Sequence, residues 1–309
     1  MPVDSHVQMP SSIMRGFSIK GRVRETYVFE PNARNLNSET IKKYGNIYAY
    51  YEDDAENCLG SVEAEFGLTK SQIINSFKKN EDYIFSDKDL ERIKKFFMMA
   101  IGRNRNMASD IKYKSFFCSL FNLDVSNSEP IYLLDENYPK GEIFDGYNFS
   151  ILWNKSETNF VCPENCLYSP LKSVKHLQNI PCVLFPITPQ IALVMSKESV
   201  ANVTIELDEA IEAFNEDALF SVLETDSTFI VSSTKEELEK LREVMSSEPF
   251  QKQVFILRLY NKARLLRIED WHKLSQYEMD VLMIAYKNDV LPLDIKRKLI
   301  DLLESNGKY

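Results

Sequence analysis

Residues 6–17 read HVQMPSSIMRGF, and the rest of the chain is organised around this stretch. It precedes every predicted helix and strand, and it supplies an imidazole from His6 and a guanidinium from Arg15. A neutral imidazole can move a proton near neutral pH, and a guanidinium can hold a phosphate or carboxylate through paired hydrogen bonds. We therefore expect an N-terminal plug that delivers both side chains to carboxylates. The alternative is structural, with His6 capping a turn and Arg15 pairing with a core carboxylate.

The composition is that of an acidic globular protein. The chain has 309 residues, of which 44% are hydrophobic, and its net charge is -9. This length allows a full core in one large or two smaller domains. The overall charge repels phosphate backbones, so a nucleic acid could bind only through a local basic patch. Two clusters, which usually represent solvated helix faces, are candidates: Lys94, Lys95, Arg103 and Arg105, and Arg258, Lys262, Arg264 and Arg267.

The sequence also bears on compartment and cofactors. It contains no apolar run of the roughly 18 residues needed to span a membrane, and it does not open with a signal-like apolar segment. We therefore expect a cytoplasmic protein with no membrane partner. Five irregularly spaced cysteines predict free thiols in a reducing compartment. Cys162 and Cys166 form a C-x3-C pair without a second pair, which does not predict a structural zinc site.

The hydrophobic pattern predicts an α+β fold. A helical period runs from Asp53 to about Asn80 and resumes after Asp87, so the N-terminal third is predicted to be mainly helical. Short apolar runs between about residues 130 and 195 predict strands. They would form a mixed or antiparallel sheet on which the helical third packs.

The domain organisation follows from the same pattern. We expect a main α+β domain over residues 1–245 and a C-terminal strand/helix extension, mostly helical, over residues 246–309. Within the extension, Phe250–Leu259 is ambiguous between strand and helix.

Three local patterns carry structural expectations. Gly67 could divide the first long helix in two, and Pro186 predicts the end of a strand because proline cannot donate to a ladder. Thr234 and Glu237 have the spacing of a capping box at a helix N-terminus.

Candidate chemistry extends from the opening stretch to the first long helix. Glu56 and Glu63 lie seven residues apart, hence on roughly the same helix face. Two inward carboxylates could bind a divalent metal or act as a base, or they could fix Arg15 and Arg103 in structural ion pairs. The sequence contains no phosphate-loop, dinucleotide-binding, hydrolase-elbow or zincin motif.

The order of motifs resembles an uncharacterised, mostly bacterial family, domain of unknown function 4238. The resemblance rests on His6 followed by Met9-Pro10-Ser11, Ile13-Met14-Arg15 and Phe17-Ser18, then Ile47–Tyr51 before a helix with Glu56 and Glu63. Arg103 after the second long helix and two later segments, Phe160–Asn165 and Phe185–Pro189, also match. The similarity spans about Asp4 to Leu241. The chain departs from the family at Val7, where a second His is frequent, and at Glu164, where Asp is usual.

The resemblance implies a fold group and a bacterial or phage-related origin. Because they lie in the segments that carry it, we expect six residues to converge in one polar cleft between the helical third and the sheet: His6, Arg15, Glu56, Glu63, Arg103 and Glu164.

Imidazole, guanidinium and carboxylates together suit hydrolysis of a phosphodiester or nucleotide, with Glu63 or His6 as base and the arginines holding charge. We expect a nuclease-like effector in bacterial anti-phage defence, with no cofactor predicted and a divalent metal left open. The alternative is a non-enzymatic interaction or regulatory module that docks a protein partner through its acidic surface and its C-terminal helices between Trp271 and Leu303. An acidic nucleic-acid mimic is disfavoured because the charges are mixed.

Overall fold

The structure is a computed structural model that describes residues 4–6, 9–41, 46–48, 53–102, 144, 146–170, 173–224 and 228–305. For residues 4–6, 46–48, 53–59, 98, 101–102, 224 and 305 the description covers the backbone alone. Within these ranges the chain forms eight α-helices and ten β-strands, and the predicted α+β class is confirmed.

The elements are labelled in chain order. The helices are α1 (Ser11–Met14), α2 (Asp53–Lys79), α3 (Asp87–Gly102), α4 (Asp208–Glu224), α5 (Lys235–Ser246), α6 (Glu248–Leu265), α7 (Gln276–Lys287) and α8 (Leu293–Ser305). The strands are β1 (Asp4–His6), β2 (Glu25–Glu30), β3 (Asn35–Thr40), β4 (Asn46–Tyr48), β5 (Asn148–Asn154), β6 (Cys162–Pro163), β7 (Val183–Thr188), β8 (Ile191–Ser196), β9 (Val203–Ile205) and β10 (Ile230–Ser232).

The strands form three sheets. One has the order β3-β2-β10-β6 and is antiparallel throughout. A second has the order β7-β8-β5-β9 and is mixed, because β9 runs parallel to β5. β1 and β4 form a two-stranded antiparallel pair. The predicted mixed or antiparallel sheet is therefore present in both forms.

Aromatic side chains join the helices to the mixed sheet. The rings of Phe66 on α2 and Phe96 on α3 stack with centroids 4.0 Å apart. Phe185 of β7 lies 5.7 Å from Phe96 and 5.1 Å from Phe97 of α3, edge-on to the latter. Such pairs contribute beyond the area they bury, so this cluster packs the helical third on the sheet.

Two local expectations about breaks differ from the structure. Helix α2 runs unbroken through Gly67, since its tertiary packing outweighs the weak helix propensity of one glycine. Strand β7 continues through Pro186 to Thr188. It is the outer strand of its sheet and its register shifts between these two residues, a position where proline is tolerated.

The chain divides into two units, Met1–Met245 and Ser246–Tyr309. The second is helical in its described part, and the ambiguous segment Phe250–Leu259 belongs to α6. Its core surrounds Trp271 and contains Leu259, Ala263, Leu274, Leu282, Ala285, Leu291, Ile295 and Leu299. None of the described helices in either unit is long and apolar enough to cross a membrane.

Replacing Leu299 with Ala should destabilise the second unit, because this side chain is fully buried in its core. A core Leu→Ala change costs about 2–5 kcal/mol, and the loss should appear as faster hydrogen exchange in peptides from residues 246–309. Leu293→Ala is the matched control on the same helix, where the side chain is 63% exposed and the expected change is within about 0.5 kcal/mol. Equal effects of the two variants would contradict this core.

Candidate functional site

The opening stretch packs into the first unit as α1 followed by a 3-10 turn, Arg15–Phe17. Ile13, Met14 and Phe17 are completely buried. The Thr26 hydroxyl on β2 donates to the Phe17 carbonyl oxygen at 2.9 Å. Burial of the apolar side chains and this hydrogen bond fix the end of the stretch against the antiparallel sheet.

Gly16 allows the stretch to lie directly on two neighbouring elements. A Cβ atom at this position would collide with the carbonyl oxygen of Ile187 in β7 and would lie 2.9 Å from the Nζ atom of Lys70 in α2. The approach of the backbone to both groups therefore requires the absence of a side chain.

Lys70 is the buried cation of this contact. Its side chain is 8% exposed, and its Nζ donates to the Ser12 carbonyl oxygen at 2.9 Å. Burial lowers the pKa of Lys70 from 10.5 to about 8, because removal from water disfavours the ammonium form. Interactions with Cys162, Cys166 and Glu63 oppose this shift in pKa. The amine can therefore lose its proton in mildly alkaline solution.

Lys70 was missed by the sequence analysis, although the pattern contains a signal for it. It follows Phe66 by four residues and precedes Ile73 by three, and both of these side chains are completely buried. A lysine within the buried stripe of a helix has to find a hydrogen-bond acceptor inside the fold. The carbonyl group of Ser12 provides it.

The predicted site residues lie in different environments. His6 belongs to β1 and Glu56 to α2, but their side chains lie outside the described residues, as does the whole of Arg103. Arg15 is exposed on the 3-10 turn. Glu63 is half-buried on α2 and interacts electrostatically with Lys70.

Glu164 is sequestered inside the fold. It is 1% exposed, and its carboxylate accepts hydrogen bonds from the backbone N–H and, at 3.0 Å, from the hydroxyl of Thr228. Its own N–H donates to the Phe229 carbonyl oxygen at 3.0 Å. These bonds join the end of β6 to the segment before β10. The structure does not bring Glu164 to a solvent-accessible cleft with the exposed Arg15.

A cleft of about 470 Å³ opens beside Gly16. We call it the Lys20–Lys78 cleft after its two cationic side chains. The rest of its lining is polar or apolar: Ser18, Ile74, Phe77, Asn159, Thr188, Pro189, Gln190, Ile191, Ser233 and Thr234.

The cleft is locally positive. Neither Lys20 nor Lys78 is paired with a carboxylate in the part of the chain that the structure describes, and the lining includes no acidic side chain from that part. Thr234 directly precedes α5, so the positive end of that helix dipole lies at the wall of the cleft. This arrangement suits an anionic ligand.

The described residues include metal-ligating side chains and cysteines. Within residues 4–305, less the gaps given above, no group of three or more His, Cys, Asp or Glu side chains is placed to hold a metal ion. Cys162, Cys166 and Cys182 are buried and form no disulfide with one another. Burial raises the pKa of the Cys182 thiol to about 12, which keeps it protonated. Comparison with known proteins gives no match to a family model, a curated protein or a solved structure.

Substituting Gly16 with Ala should destabilise the first unit, since the new methyl group would overlap the Ile187 carbonyl oxygen. Overpacking of this kind costs about 1–3 kcal/mol, measurable by denaturant unfolding. Gly67→Ala is the matched control, because a Cβ there meets no atom within 4 Å and alanine favours the helix by about 0.5–1 kcal/mol. The two variants should therefore change stability in opposite directions. A neutral or stabilising Gly16→Ala would disprove the close approach.

The Lys70 amine should make stability rise with pH. Its pKa is about 8 in the folded state, against 10.5 for an ordinary lysine in the unfolded chain, so the unfolded chain binds more protons between these values. The free energy of unfolding should therefore increase by about 2 kcal/mol from about pH 7 to about pH 9.5, and this contribution is lost as the pH falls through about 8. Lys70→Met should remove the increase, and the exposed control Lys79→Met should retain it. An unchanged profile in Lys70→Met would contradict a buried, titrating amine.

Proposed function

We propose that this chain binds a nucleotide or another phosphate ester in the Lys20–Lys78 cleft. The observation that carries the proposal is the contrast of charge: the chain has a net charge of -9, whereas the described lining of this cleft holds two lysines and no carboxylate. Phosphate oxygens accept hydrogen bonds from lysines, hydroxyls and backbone N–H groups. The lining of the cleft includes lysines and residues with hydroxyl groups.

The cleft also has an apolar surface suited to the rest of a nucleotide. Ile74, Phe77 and Ile191 lie in the same lining as the lysines. An aromatic ring can stack on any base, and sugar and base rings pack on aliphatic side chains. The volume of about 470 Å³ falls within the roughly 300–1,000 Å³ typical of ligand pockets.

Hydrolysis of the bound phosphodiester or nucleotide is the reaction proposed for this ligand. Glu63 and His6 are the two residues whose chemistry suits a general base for this reaction. Glu63 precedes Ile74 by eleven residues on α2, which places it about 16 Å along the helix axis from the part of α2 that lines the cleft. The charge of Glu63 nevertheless acts on Lys70, which lies beside the lining residue Gly16, so both residues are kept as candidate bases at this ligand.

The resemblance to domain of unknown function 4238 is part of this proposal. It would make the chain a nuclease-like effector of bacterial origin, with defence against phage as its setting. The opening stretch, from Met9 to Phe17, carries the most specific part of the resemblance and is packed into the first unit.

A second candidate function is docking of a protein partner by the C-terminal unit. Large apolar side chains are exposed there at Tyr277 (66%), Ile284 (59%), Val290 (65%) and Leu293 (63%). Such side chains on a helical unit are typical of a contact surface when they are contiguous.

The basic cluster of the C-terminal unit gives less support to nucleic-acid binding. Lys262 lies 2.8 Å from a carboxylate oxygen of Glu278, and Arg264 lies 2.6 Å from one of Asp294. Two of the four cations in the predicted patch are therefore partly neutralised by carboxylates of the same unit.

Removing the two cleft lysines should weaken nucleotide binding. We expect Lys20→Ala/Lys78→Ala to lower the affinity for ADP, measured by calorimetry at low salt, by tenfold or more, since both cations would contact phosphate. The matched control is Lys79→Ala, whose side chain is also exposed on α2 but does not line the cleft, and its affinity should change less than twofold. Equal losses of ADP affinity in the two variants would mean that only the overall charge of the chain matters, and would contradict binding in the cleft.

An assay of hydrolysis together with ADP binding distinguishes nucleotide hydrolysis from docking of a protein partner. Incubation with nucleotides and with a single-stranded RNA should yield hydrolysis products with the wild type, and loss of turnover in Glu63→Gln would identify Glu63 rather than His6 as the base. Absence of ADP binding by the wild type would contradict the nucleotide proposal and favour docking by the C-terminal unit. Binding without turnover in either protein would leave a ligand-binding module and disprove hydrolysis.

A further inference from the structure

A positively charged loop borders the Lys20–Lys78 cleft. Residues 15–24 read RGFSIKGRVR and include no acidic residue. We call this segment the basic loop. Its four cations, all exposed, are Arg15, Lys20, Arg22 and Arg24. Gly16, Ser18 and Lys20 of the loop are also part of the cleft lining, so the loop and the cleft form one continuous positive surface.

Hydrogen bonds within the basic loop fix its shape. The N–H of Arg22 donates to the Ile19 carbonyl oxygen at 2.8 Å and closes a turn in which Gly21 has a φ of +81°, a value that glycine adopts without strain. The Ser18 hydroxyl donates across the loop to the Val23 carbonyl oxygen at 3.1 Å. The backbone that carries the cations is therefore ordered before a ligand arrives, which lowers the cost of binding.

Most of the charge on the basic loop is available to a ligand. Arg22 lies 3.2 Å from a carboxylate oxygen of Glu25, but these side chains are 61% and 40% exposed, and such surface pairs are weak. Arg15, Lys20 and Arg24 pair with no carboxylate in the part of the chain that the structure describes. A chain with a net charge of -9 thus carries a short, exposed and strongly positive segment beside its proposed nucleotide site.

The basic loop is a stronger patch than the two clusters predicted from the sequence. In the first of these, Lys95 lies 2.8 Å from a carboxylate oxygen of Glu91, and the two arginines lie outside the described residues. In the second, two of the four cations are paired, as described above. Among the described residues, the loop therefore has the largest unpaired positive charge of the three.

We propose that the ligand is a single-stranded oligonucleotide, with one nucleotide in the Lys20–Lys78 cleft and the phosphates that follow it on the basic loop. This inference rests on the nucleotide site proposed above and names its substrate class. A row of cations that continues a cleft suits a chain of phosphates better than one free nucleotide.

The same surface favours a single strand over a duplex and over an acidic peptide. The bases of a duplex are paired and stacked, so none can enter the cleft without being flipped out. Val23 is 76% exposed between Arg22 and Arg24, where it provides an apolar contact for an unstacked base. A peptide that offered only carboxylates would leave this contact unused.

The test compares ADP, by calorimetry, with a labelled phosphorothioate oligouridylate of about ten residues, by fluorescence anisotropy. We expect the full chain to bind the oligonucleotide at least tenfold more tightly than ADP at about 50 mM salt. Arg22→Ala/Arg24→Ala should weaken oligonucleotide binding tenfold or more. It should also reduce the slope of log affinity against log salt by about 1.4, since each phosphate contact on a single strand contributes about 0.7. ADP affinity should change less than threefold, because neither arginine lines the cleft.

The matched control is Arg34→Ala/Lys175→Ala. It removes the same charge from exposed positions of the first unit that lie outside the loop and the cleft lining, and it should change oligonucleotide affinity less than twofold. Two variants at the exposed Val23 give an independent measurement: Val23→Lys should tighten oligonucleotide binding and Val23→Glu should weaken it. Retained ADP binding shows that each variant is folded.

The outcomes separate the two proposals. Absence of ADP binding by the wild type would contradict the nucleotide site itself. With ADP bound, three results would overturn the role of the basic loop: oligonucleotide affinity no higher than that for ADP, equal losses in the two double variants, or equal competition by a polyglutamate of the same charge. The last result would indicate an acidic peptide as the ligand of the loop.

Discussion

The hydrogen bond from the buried Lys70 amine to the Ser12 carbonyl oxygen is the constraint that shapes the first unit. An amine taken out of water is stabilised only if its donors are used, so α2 and the opening stretch have to be held in register. Gly16 brings the same stretch onto the Ile187 carbonyl group of β7. One polar contact and one missing side chain thereby place a helix, a turn and a strand of the mixed sheet around a common point, and the positive cleft opens beside it.

The first unit separates its charges into two cavities of opposite character. The cleft has two lysines beside Gly16 that pair with no carboxylate of the described residues, whereas four glutamates line the groove formed by α4 and α5. Asn159 contributes to both: its side-chain oxygen accepts from Gln190 at 2.9 Å at the cleft, and its N–H donates to Glu237 at the groove. Glu237 accepts hydrogen bonds from Asn159 and is not part of the described lining of the cleft.

Hydrophobic periodicity predicted the fold class and the long helices because burial alone determines them. The spacing of Phe66, Ile73 and Phe77 predicts α2 without knowledge of its partners. Strand β3, with the sequence NLNSET, was not predicted, because it is polar and is ordered by pairing with β2 rather than by its own propensity.

The site was less predictable from sequence than the fold. Acidic residues are candidates for catalysis or ligand binding, but they also form structural hydrogen bonds inside a fold. Glu164 accepts a hydrogen bond from Thr228, and Glu237 accepts one from Asn159. Lys20 and Lys78 were passed over because they lie 58 positions apart in the chain and meet only in the folded unit. Pairwise proximity of this kind is a tertiary property, which spacing along a single sequence does not encode.

Gly16 also has an evolutionary consequence. The backbone contact at position 16 leaves no room for a methyl group, and every other amino acid carries a Cβ atom. Substitutions at this position are therefore expected to be selected against. Among descendants of a common ancestor that retain this architecture, the position should stay glycine while the surrounding surface diverges beyond recognition. A glycine that is preceded by a short helix and followed after 54 positions by a lysine in a buried helical stripe is therefore the sequence pattern that we expect relatives with this architecture to share.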